Sequence, residues 1–249
     1  MSEVLKTKIG AVSYLNTKLL LYGMQTDAFK KEHELLLDFP SHIAGMLLNG
    51  AIDVGLVPVA MLHQLPKYFI VCDYCIAADL DVASVCLFSE VPVQEIKTIY
   101  LDYQSQTSVA LLKILMKELW GITSILINAK DESYRTKING TTAALVIGDR
   151  AFEQRRLSTY VYDLAGEWQT MTGLPFVFAV WVSLKPMPTD WIEKFNTANA
   201  MGLQKLEEIA EQQKFPAFDL KKYYQHHIGY TLTNDRKKGM DRFLEMMGV

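Results

Sequence analysis

Residues 34–58 read ELLLDFPSHIAGMLLNGAIDVGLVP, and this stretch decides the fold. Glu34–Asp38 is short and apolar, which predicts a strand. Pro40-Ser41 predicts the start of a helix with the serine as its N-cap, and Asn49-Gly50 predicts the end of that helix. Ile52–Val57 is a second apolar run and predicts another strand. A strand, a helix and a strand in this order are typical of a parallel β-α-β unit.

The same alternation extends in both directions from this unit. A predicted strand, Lys8–Val12, precedes it, and a second set of elements begins after Pro92. The other predicted strands are Tyr68–Ala77, Val82–Ser89, Lys97–Asp102, Ser124–Asn128, Ala143–Gly148 and Phe176–Leu184. From about Pro188 the chain is predicted to be mostly helical. The rhythm predicts an α/β fold with parallel strands, in two lobes that have a ligand cleft between them.

Composition narrows the class of protein. The chain has 249 residues, with 25 Lys plus Arg against 28 Asp plus Glu, and a net charge of −3. A general nucleic-acid-binding protein needs a basic surplus, so we expect no nucleic-acid partner. The longest apolar run, near Gly173–Leu184, is shorter than the ~20 residues that span a bilayer, so we expect no membrane partner. The polar start, MSEVLKTK, predicts a cytoplasmic protein.

The familiar motifs for cofactors and metals are missing from the sequence. It contains no G-x-G, no G-K-[ST], no G-x-S-x-G and no H-x-x-x-H. Dinucleotide, P-loop, hydrolase-elbow and zinc chemistry are therefore not expected. Cys72 and Cys75 form a C-x-x-C pair inside a predicted strand, where positions three apart point to opposite faces. This favours two buried core residues over a redox or metal pair, and we expect no cofactor.

Hydroxyl and amide side chains stand where predicted strands give way to helices. They lie at Ser13–Thr17, Pro40-Ser41 and Ser105–Ser108, and Ser84 lies near the crossing between the lobes. The N-terminus of a helix offers free N–H groups and a positive dipole end, which bind carboxylates or phosphates. Two interpretations stand: each segment is a structural N-cap, or several of them together form an anion site.

The segment Gly166–Trp181, GEWQTMTGLPFVFAVW, concentrates aromatic residues, with two Trp and two Phe in sixteen positions. One interpretation is a rigid turn followed by a core strand. The other is an aromatic wall of a ligand pocket.

Over most of its length the chain resembles the chorismate dehydratases of the futalosine route to menaquinone. The motifs that carry the resemblance are VSYLNT (12–17), Pro40-Ser41, GAIDVGLVP (50–58), Ser84-Val85, LDYQSQTS (101–108), Ile147-Gly148-Asp149, TGLPFVFAVW (172–181) and Lys238-Gly239-Met240. Two departures concern the site. Gln106 stands where the family often has Arg, and residues 77–82 lack the glycine expected before Ser84.

The resemblance implies the two-lobed fold of type 2 periplasmic binding proteins. The lobes are expected at residues 1–90 with 178–249, and at 91–177. The implied activity is that of a carbon–oxygen lyase, which dehydrates chorismate, a small dicarboxylate, to 3-enolpyruvylbenzoate, without a cofactor and as a monomer or homodimer. Two alternatives stay open: 1,4-dihydroxy-6-naphthoate synthase of the same pathway, and a non-catalytic binding protein for a small organic anion.

The resemblance also implies a set of site residues. Asn16 and Ser84 are the expected catalytic residues, with Asn16 positioning the proton-transfer group or the leaving hydroxyl and Ser84 assisting from the hinge. The residues expected to bind the carboxylates are Ser41, Ser105, Thr107 and Ser108, and Ser13 is a further expected substrate-binding residue. The residues expected to wall the ring are Phe176, Phe178 and Trp181.

Overall fold

The computed structural model describes residues 6–248, whose strands form two β-sheets. The strands are β1 (Thr7–Ala11), β2 (His33–Leu37), β3 (Val54–Pro58), β4 (Phe69–Ala78), β5 (Val85–Ser89), β6 (Thr98–Leu101), β7 (Ile125–Asn128), β8 (Thr142–Ile147), β9 (Tyr160–Asp163), β10 (Phe176–Ser183) and β11 (Gly229–Thr231). The first sheet has the order β11-β4-β10-β3-β1-β2, and the second has the order β7-β6-β8-β5-β9.

Helices pack around both sheets. They are α1 (Lys18–Tyr22), α2 (Asp27–Glu32), α3 (Pro40–Leu48), α4 (Gln106–Glu118), α5 (Asp149–Gln154), α6 (Leu164–Thr172), α7 (Thr189–Leu203), α8 (Leu206–Gln212), α9 (Leu220–Lys222) and α10 (Asn234–Met246). Short 3₁₀ turns include Leu15–Thr17 and Val59–Gln64, and Tyr223–His227 forms a π-helical turn. None of the helices within residues 6–248 is both long and apolar enough to cross a membrane.

The strand directions differ in part from the expected parallel arrangement. β1 is parallel to β2 and β3, and β6 is parallel to β7 and β8. β10 instead runs antiparallel to β3 and β4, and β5 runs antiparallel to β8 and β9. The chain enters β5 and β10 directly from the other sheet, so neither strand follows a neighbour through the helical crossover that makes strands parallel. Both sheets are therefore mixed, and the prediction of parallel strands was wrong for β5 and β10.

The crossing between the sheets also lies earlier than the sequence suggested. The predicted first lobe, residues 1–90, included Val85–Ser89, but this strand is hydrogen-bonded within the second sheet. Residues 79–84 are thus the first connection between the sheets. The chain returns to the first sheet with β10, which begins at Phe176. The periodicity of residues 82–89 identified a strand, but periodicity does not say which sheet a strand joins.

The start of α3 corrects a further detail. Pro40 is the first residue of this helix and Phe39 occupies the N-cap, so the predicted N-cap role of Ser41 was wrong. Proline is favoured at the first helical position because its fixed φ suits the helix and its missing N–H is not needed there. The backbone of Ser41 lies in the first turn, and its side chain is outside the described part of the structure.

Candidate functional site

A cavity of about 60 Å³ lies between the two sheets. Its walls come from the loops after β1 and β8, the segment before β5, the start of α4 and the middle of β10. Of the predicted site residues, Asn16, Ser84, Ser105, Ser108 and Phe178 line it. The volume holds only a few water molecules, so the sheets approach each other closely at this point.

Asn16 enters the cavity from the 3₁₀ turn that follows β1. The buried Thr17 holds this turn, because its hydroxyl lies 2.7 Å from the carbonyl of Val12 and 2.8 Å from that of Tyr14. Asn16 Oδ1 is buried and has no hydrogen-bond partner among the described residues. Buried polar atoms are nearly always paired, so this oxygen is available to accept a hydrogen bond from a ligand.

Ser84 lies at the first connection between the sheets and is 1% exposed. The residue before it, Ala83, has φ of 64°, a left-handed conformation that is uncommon for a residue with a Cβ atom. Asp163 accepts hydrogen bonds from the N–H groups of Val82 and Ala83, at 3.0 and 2.7 Å. Arg155 donates to the Ala83 carbonyl at 2.9 Å. These bonds hold the strained turn that places Ser84 in the cavity wall.

The start of α4 supplies two neighbouring hydroxyls. Ser105 is the N-cap and accepts from the N–H of Ser108 at 3.1 Å, and the two hydroxyl oxygens are 2.8 Å apart. One of these hydroxyls donates to the other, and the second proton is free to bind a ligand. Together with the positive end of the helix dipole, this pair suits a carboxylate.

Gly148 lines the cavity directly after the end of β8. Its φ of 66° and ψ of −151° lie in a region that is open essentially to glycine alone. Its N–H donates to the carbonyl of Ser84 at 2.8 Å. The tight backbone therefore ties the loop after β8 to the connection that carries Ser84.

Tyr14, another lining residue, joins the two halves of the cavity. Its hydroxyl donates to Gln104 Oε1 at 2.7 Å, and the same oxygen accepts from Arg150 at 2.8 Å. Asp149 accepts from the N–H of Leu15 at 3.3 Å. These bonds connect the loop after β1 with the second sheet, and they hold the cavity closed.

Every described residue that lines the cavity is uncharged. Arg150, close by, is engaged by Asp102, whose side chain is fully buried, at 2.9 Å. Burial raises the pKa of the Asp102 carboxyl above its usual range. Gln106, which replaces the arginine expected from the family, is exposed, and its side chain bonds to Gln64 at 3.4 Å. The donors that the described lining offers are therefore hydroxyl, amide and N–H groups.

Four of the other predicted site residues lie outside the cavity lining. Ser13 is exposed, and the hydroxyl of the buried Thr107 accepts from the N–H of Ala60 at 3.1 Å. Phe176 is fully buried, with its ring 4.9 Å from that of Phe243. Trp181 is fully buried and donates to Asn199 at 3.0 Å. Phe176 and Trp181 are therefore core residues of the β10 region.

The sequence did not single out three residues that shape the site: Tyr14, Gly148 and Tyr223. The first two lie inside the motifs VSYLNT and Ile147-Gly148-Asp149, so those motifs were the available signal. Tyr223 contacts Ser84 from a distant part of the chain, and no local pattern marks it.

The fold and the site between its sheets define a protein with the architecture of the periplasmic binding proteins. A crystal structure of an Archaeoglobus fulgidus protein superposes with a TM-score of 0.76 at 13% identity, covering 98% of this chain and 97% of that one. The periplasmic aliphatic sulphonate binding protein SsuA from Escherichia coli superposes with a TM-score of 0.61 at 14% identity, covering 98% and 88%.

Sequence comparison defines the family. Residues 7–248 match the model of the family described as menaquinone biosynthesis, and the chain belongs to that family. A chorismate dehydratase from Thermus thermophilus is 27% identical over 267 residues, which cover 97% of this chain and 95% of the relative.

Proposed function

We propose that this protein dehydrates chorismate to 3-enolpyruvylbenzoate and water, as a carbon–oxygen lyase of the cytoplasm. The observation that carries the proposal is the unpartnered, buried Asn16 Oδ1 in the same cavity wall as Ser84, in a member of a menaquinone biosynthesis family. The Thermus thermophilus relative, matched over nearly its whole length, bears the name of this activity.

The proposed reaction removes one proton and one hydroxide from neighbouring ring carbons. The proton leaves the carbon that carries the enolpyruvyl ether, the C–O bond to the ring hydroxyl breaks, and the two leaving groups together make one water molecule. The electron pair of the broken C–H bond completes the aromatic ring. Because aromatisation drives the reaction downhill, the protein mainly has to orient the substrate, stabilise charge and exclude water.

In this proposal, the start of α4 binds one anionic group of the substrate. The hydroxyls of Ser105 and Ser108 and the N–H groups of the first turn hold one substrate carboxylate. Ser41, in the first turn of α3 beside the cavity-lining Pro40, stays a predicted contact of the other carboxylate. Phe178 packs against the ring. A dicarboxylate thus binds in a chain of net charge −3 without a cation in the described cavity lining.

The proton transfer needs a base, and none of the described lining residues is Asp, Glu, His or Lys. A carboxylate of the substrate is then the base at hand, and it takes the ring proton. The amide of Asn16 orients that carboxylate or the leaving hydroxyl, and Ser84 donates a hydrogen bond from the connection between the sheets. Fixed polar groups that meet charge as it develops are an effective form of catalysis in a closed cavity.

Substrate entry requires the two sheets to separate, because the cavity of about 60 Å³ is too small for a ring that carries a carboxylate and an enolpyruvyl ether. The bonds Tyr14–Gln104 and Leu15–Asp149 would open on entry and reform over the bound substrate. Such closure excludes water from the reacting atoms.

The direct test is incubation of the purified protein with chorismate, followed by ultraviolet absorbance and mass spectrometry. The proposal predicts loss of the cyclohexadiene absorbance and an aromatic product lighter by one water molecule. Recovery of unchanged chorismate bound to the protein would favour a binding protein, in line with the shared fold. If the protein neither converts nor binds chorismate, the alternative of a 1,4-dihydroxy-6-naphthoate synthase is favoured. That activity is then tested with the substrate of the synthase.

A further inference from the structure

One contact of Ser84 lies outside the cavity lining. Its Oγ is 2.8 Å from the hydroxyl of Tyr223, and both residues are 1% exposed. They are 139 positions apart in the sequence. The two hydroxyls therefore meet only because the segment before β11 folds back against the connection between the sheets.

The backbone around Tyr223 is unusual. Residues Tyr223–His227 form a π-helical turn, which the bond from the N–H of Ile228 to the Tyr223 carbonyl closes at 3.2 Å. Turns of this kind are rare and occur frequently at functional sites. The Tyr223 ring packs edge-on against Phe152 with 5.0 Å between ring centroids, and close to Phe218. The ring is held on several sides, so the position of its hydroxyl is fixed.

The proton count assigns a direction to this hydrogen bond. Each of the two hydroxyls carries one proton, and burial raises the pKa of Tyr223 well above its usual range, so the phenol stays protonated. Among the described residues, the only acceptor within hydrogen-bond distance of the phenol is Ser84 Oγ. Ser84 lines the cavity and Tyr223 does not, so of the two protons only that of Ser84 can reach a ligand there. If Ser84 donated instead, the phenol proton would be buried without any acceptor, which carries the full cost of desolvation. The arrangement that pairs both protons when a ligand is bound therefore has Tyr223 as the donor.

We propose that Tyr223 is a positioning residue for Ser84: by donating to Oγ, it turns the Ser84 hydroxyl proton into the cavity, where an oxygen of the substrate accepts it. The inference rests on the proposed function and adds a residue to it. Ser84 has no other hydrogen-bond acceptor among the described residues, so its proton is left for the ligand. Without Tyr223, the hydroxyl would rotate freely and lose this orientation before the reaction.

The test is a double-mutant cycle of Tyr223→Phe and Ser84→Ala, with Tyr230→Phe as the matched control. Tyr230 has a buried hydroxyl without a partner in the same region and does not line the cavity, so its loss should leave turnover unchanged. We expect Tyr223→Phe to lower kcat for chorismate about tenfold, with little change in KM, because one oriented hydrogen bond is lost. In the Ser84→Ala background the same change should have no further effect.

Unchanged kcat in Tyr223→Phe, or the same tenfold loss in the Ser84→Ala background, would overturn the inference. Thermal unfolding of the same four proteins gives a second cycle, which does not depend on turnover. Non-additive shifts in Tm are expected from the hydrogen bond, and additive shifts would contradict it. If the wild-type protein fails to convert chorismate, the proposed function fails by that result alone, while the unfolding cycle still decides whether Tyr223 holds Ser84.

Discussion

The carboxylate of Asp163 accepts a hydrogen bond of 2.7 Å from the N–H of Ala83, the residue whose left-handed backbone precedes Ser84. The same side chain also accepts from the N–H groups of Ala165 and Gly166 at the start of α6. One buried acid thus joins the connection between the sheets to the helix that leads back to the first sheet. The strained backbone of Ala83 lies directly before the proposed catalytic Ser84, and strained backbone is common at catalytic sites.

The strain at Ala83 predicts an unusual response to glycine. A left-handed backbone costs a residue with a Cβ atom roughly 1–2 kcal/mol, and glycine does not bear this cost. Ala78 is equally buried, at 1% against 2% for Ala83, but has an ordinary strand backbone. Ala83→Gly should therefore lower the free energy of unfolding by at least about 1 kcal/mol less than Ala78→Gly. Urea unfolding measures both, and equal losses would show that residue 83 is unstrained.

The N-cap of α4 predicts a joint loss of stability and affinity. Ser105→Ala removes the cap and a proposed carboxylate contact, so the free energy of unfolding should fall by about 0.5–2 kcal/mol. KM for chorismate should rise about tenfold, since a hydrogen bond to a charged group is worth roughly 1.5–3 kcal/mol. Thr233→Ala is the control. Thr233 caps α10, which has 13 residues like α4, and it lies outside the cavity lining. That variant should lose similar stability and keep its KM. A similar rise of KM in both variants would refute a contact at Ser105.

Asp149 predicts a pH dependence of stability with a definite sign. Burial raises the pKa of this carboxyl above its ordinary value of 3.8, so the folded protein binds its proton more tightly than the unfolded chain does. Its contribution to stability is full below pH 3.8 and is lost as the pH rises through the raised, folded pKa. As the pH falls from about 7 to about 4, the free energy of unfolding of the wild-type protein should therefore rise relative to that of Asp149→Asn.

Urea unfolding of both proteins across this pH range measures the difference. The control is Asp235→Asn, because a hydrogen bond from Lys238 lowers the pKa of the exposed Asp235 carboxyl, which gives the opposite sign. A stability gap between wild type and Asp149→Asn that moves against the wild type on acidification would contradict the burial of Asp149.

The sequence was informative where chemistry is local. The strand and turn around Asn16, the helix start at Ser105 and the fold itself followed from short patterns and the family motifs. The failures are three-dimensional. Phe178 lines the cavity, while Trp181, three residues further along β10, meets Asn199 in the core. β10 is also irregular around Phe178, so strict alternation along the strand does not predict which of its aromatic residues reach the cavity.

The sheet that β5 joins and the contact of Tyr223 could not be predicted from the sequence, for a related reason. A short apolar strand looks alike in either sheet, and pairing partners far along the chain decide where it lies. Tyr223 belongs to the stretch after Pro188, for which the sequence predicts only mostly helical structure, and its buried ring and its contact with Ser84 are not visible there. Contacts across such distances become visible only in the folded chain.

The most direct test of the account compares the rate of 3-enolpyruvylbenzoate formation by the wild-type protein and by Asn16→Ala, with thermal unfolding to show that both are folded. Asn16 is proposed to touch the reacting groups, and loss of one such contact typically lowers turnover about 10²–10³-fold. The account predicts steady product formation by the wild type and a loss of at least about 100-fold in the variant. Near-normal turnover by Asn16→Ala, or no product from the wild type, would contradict it.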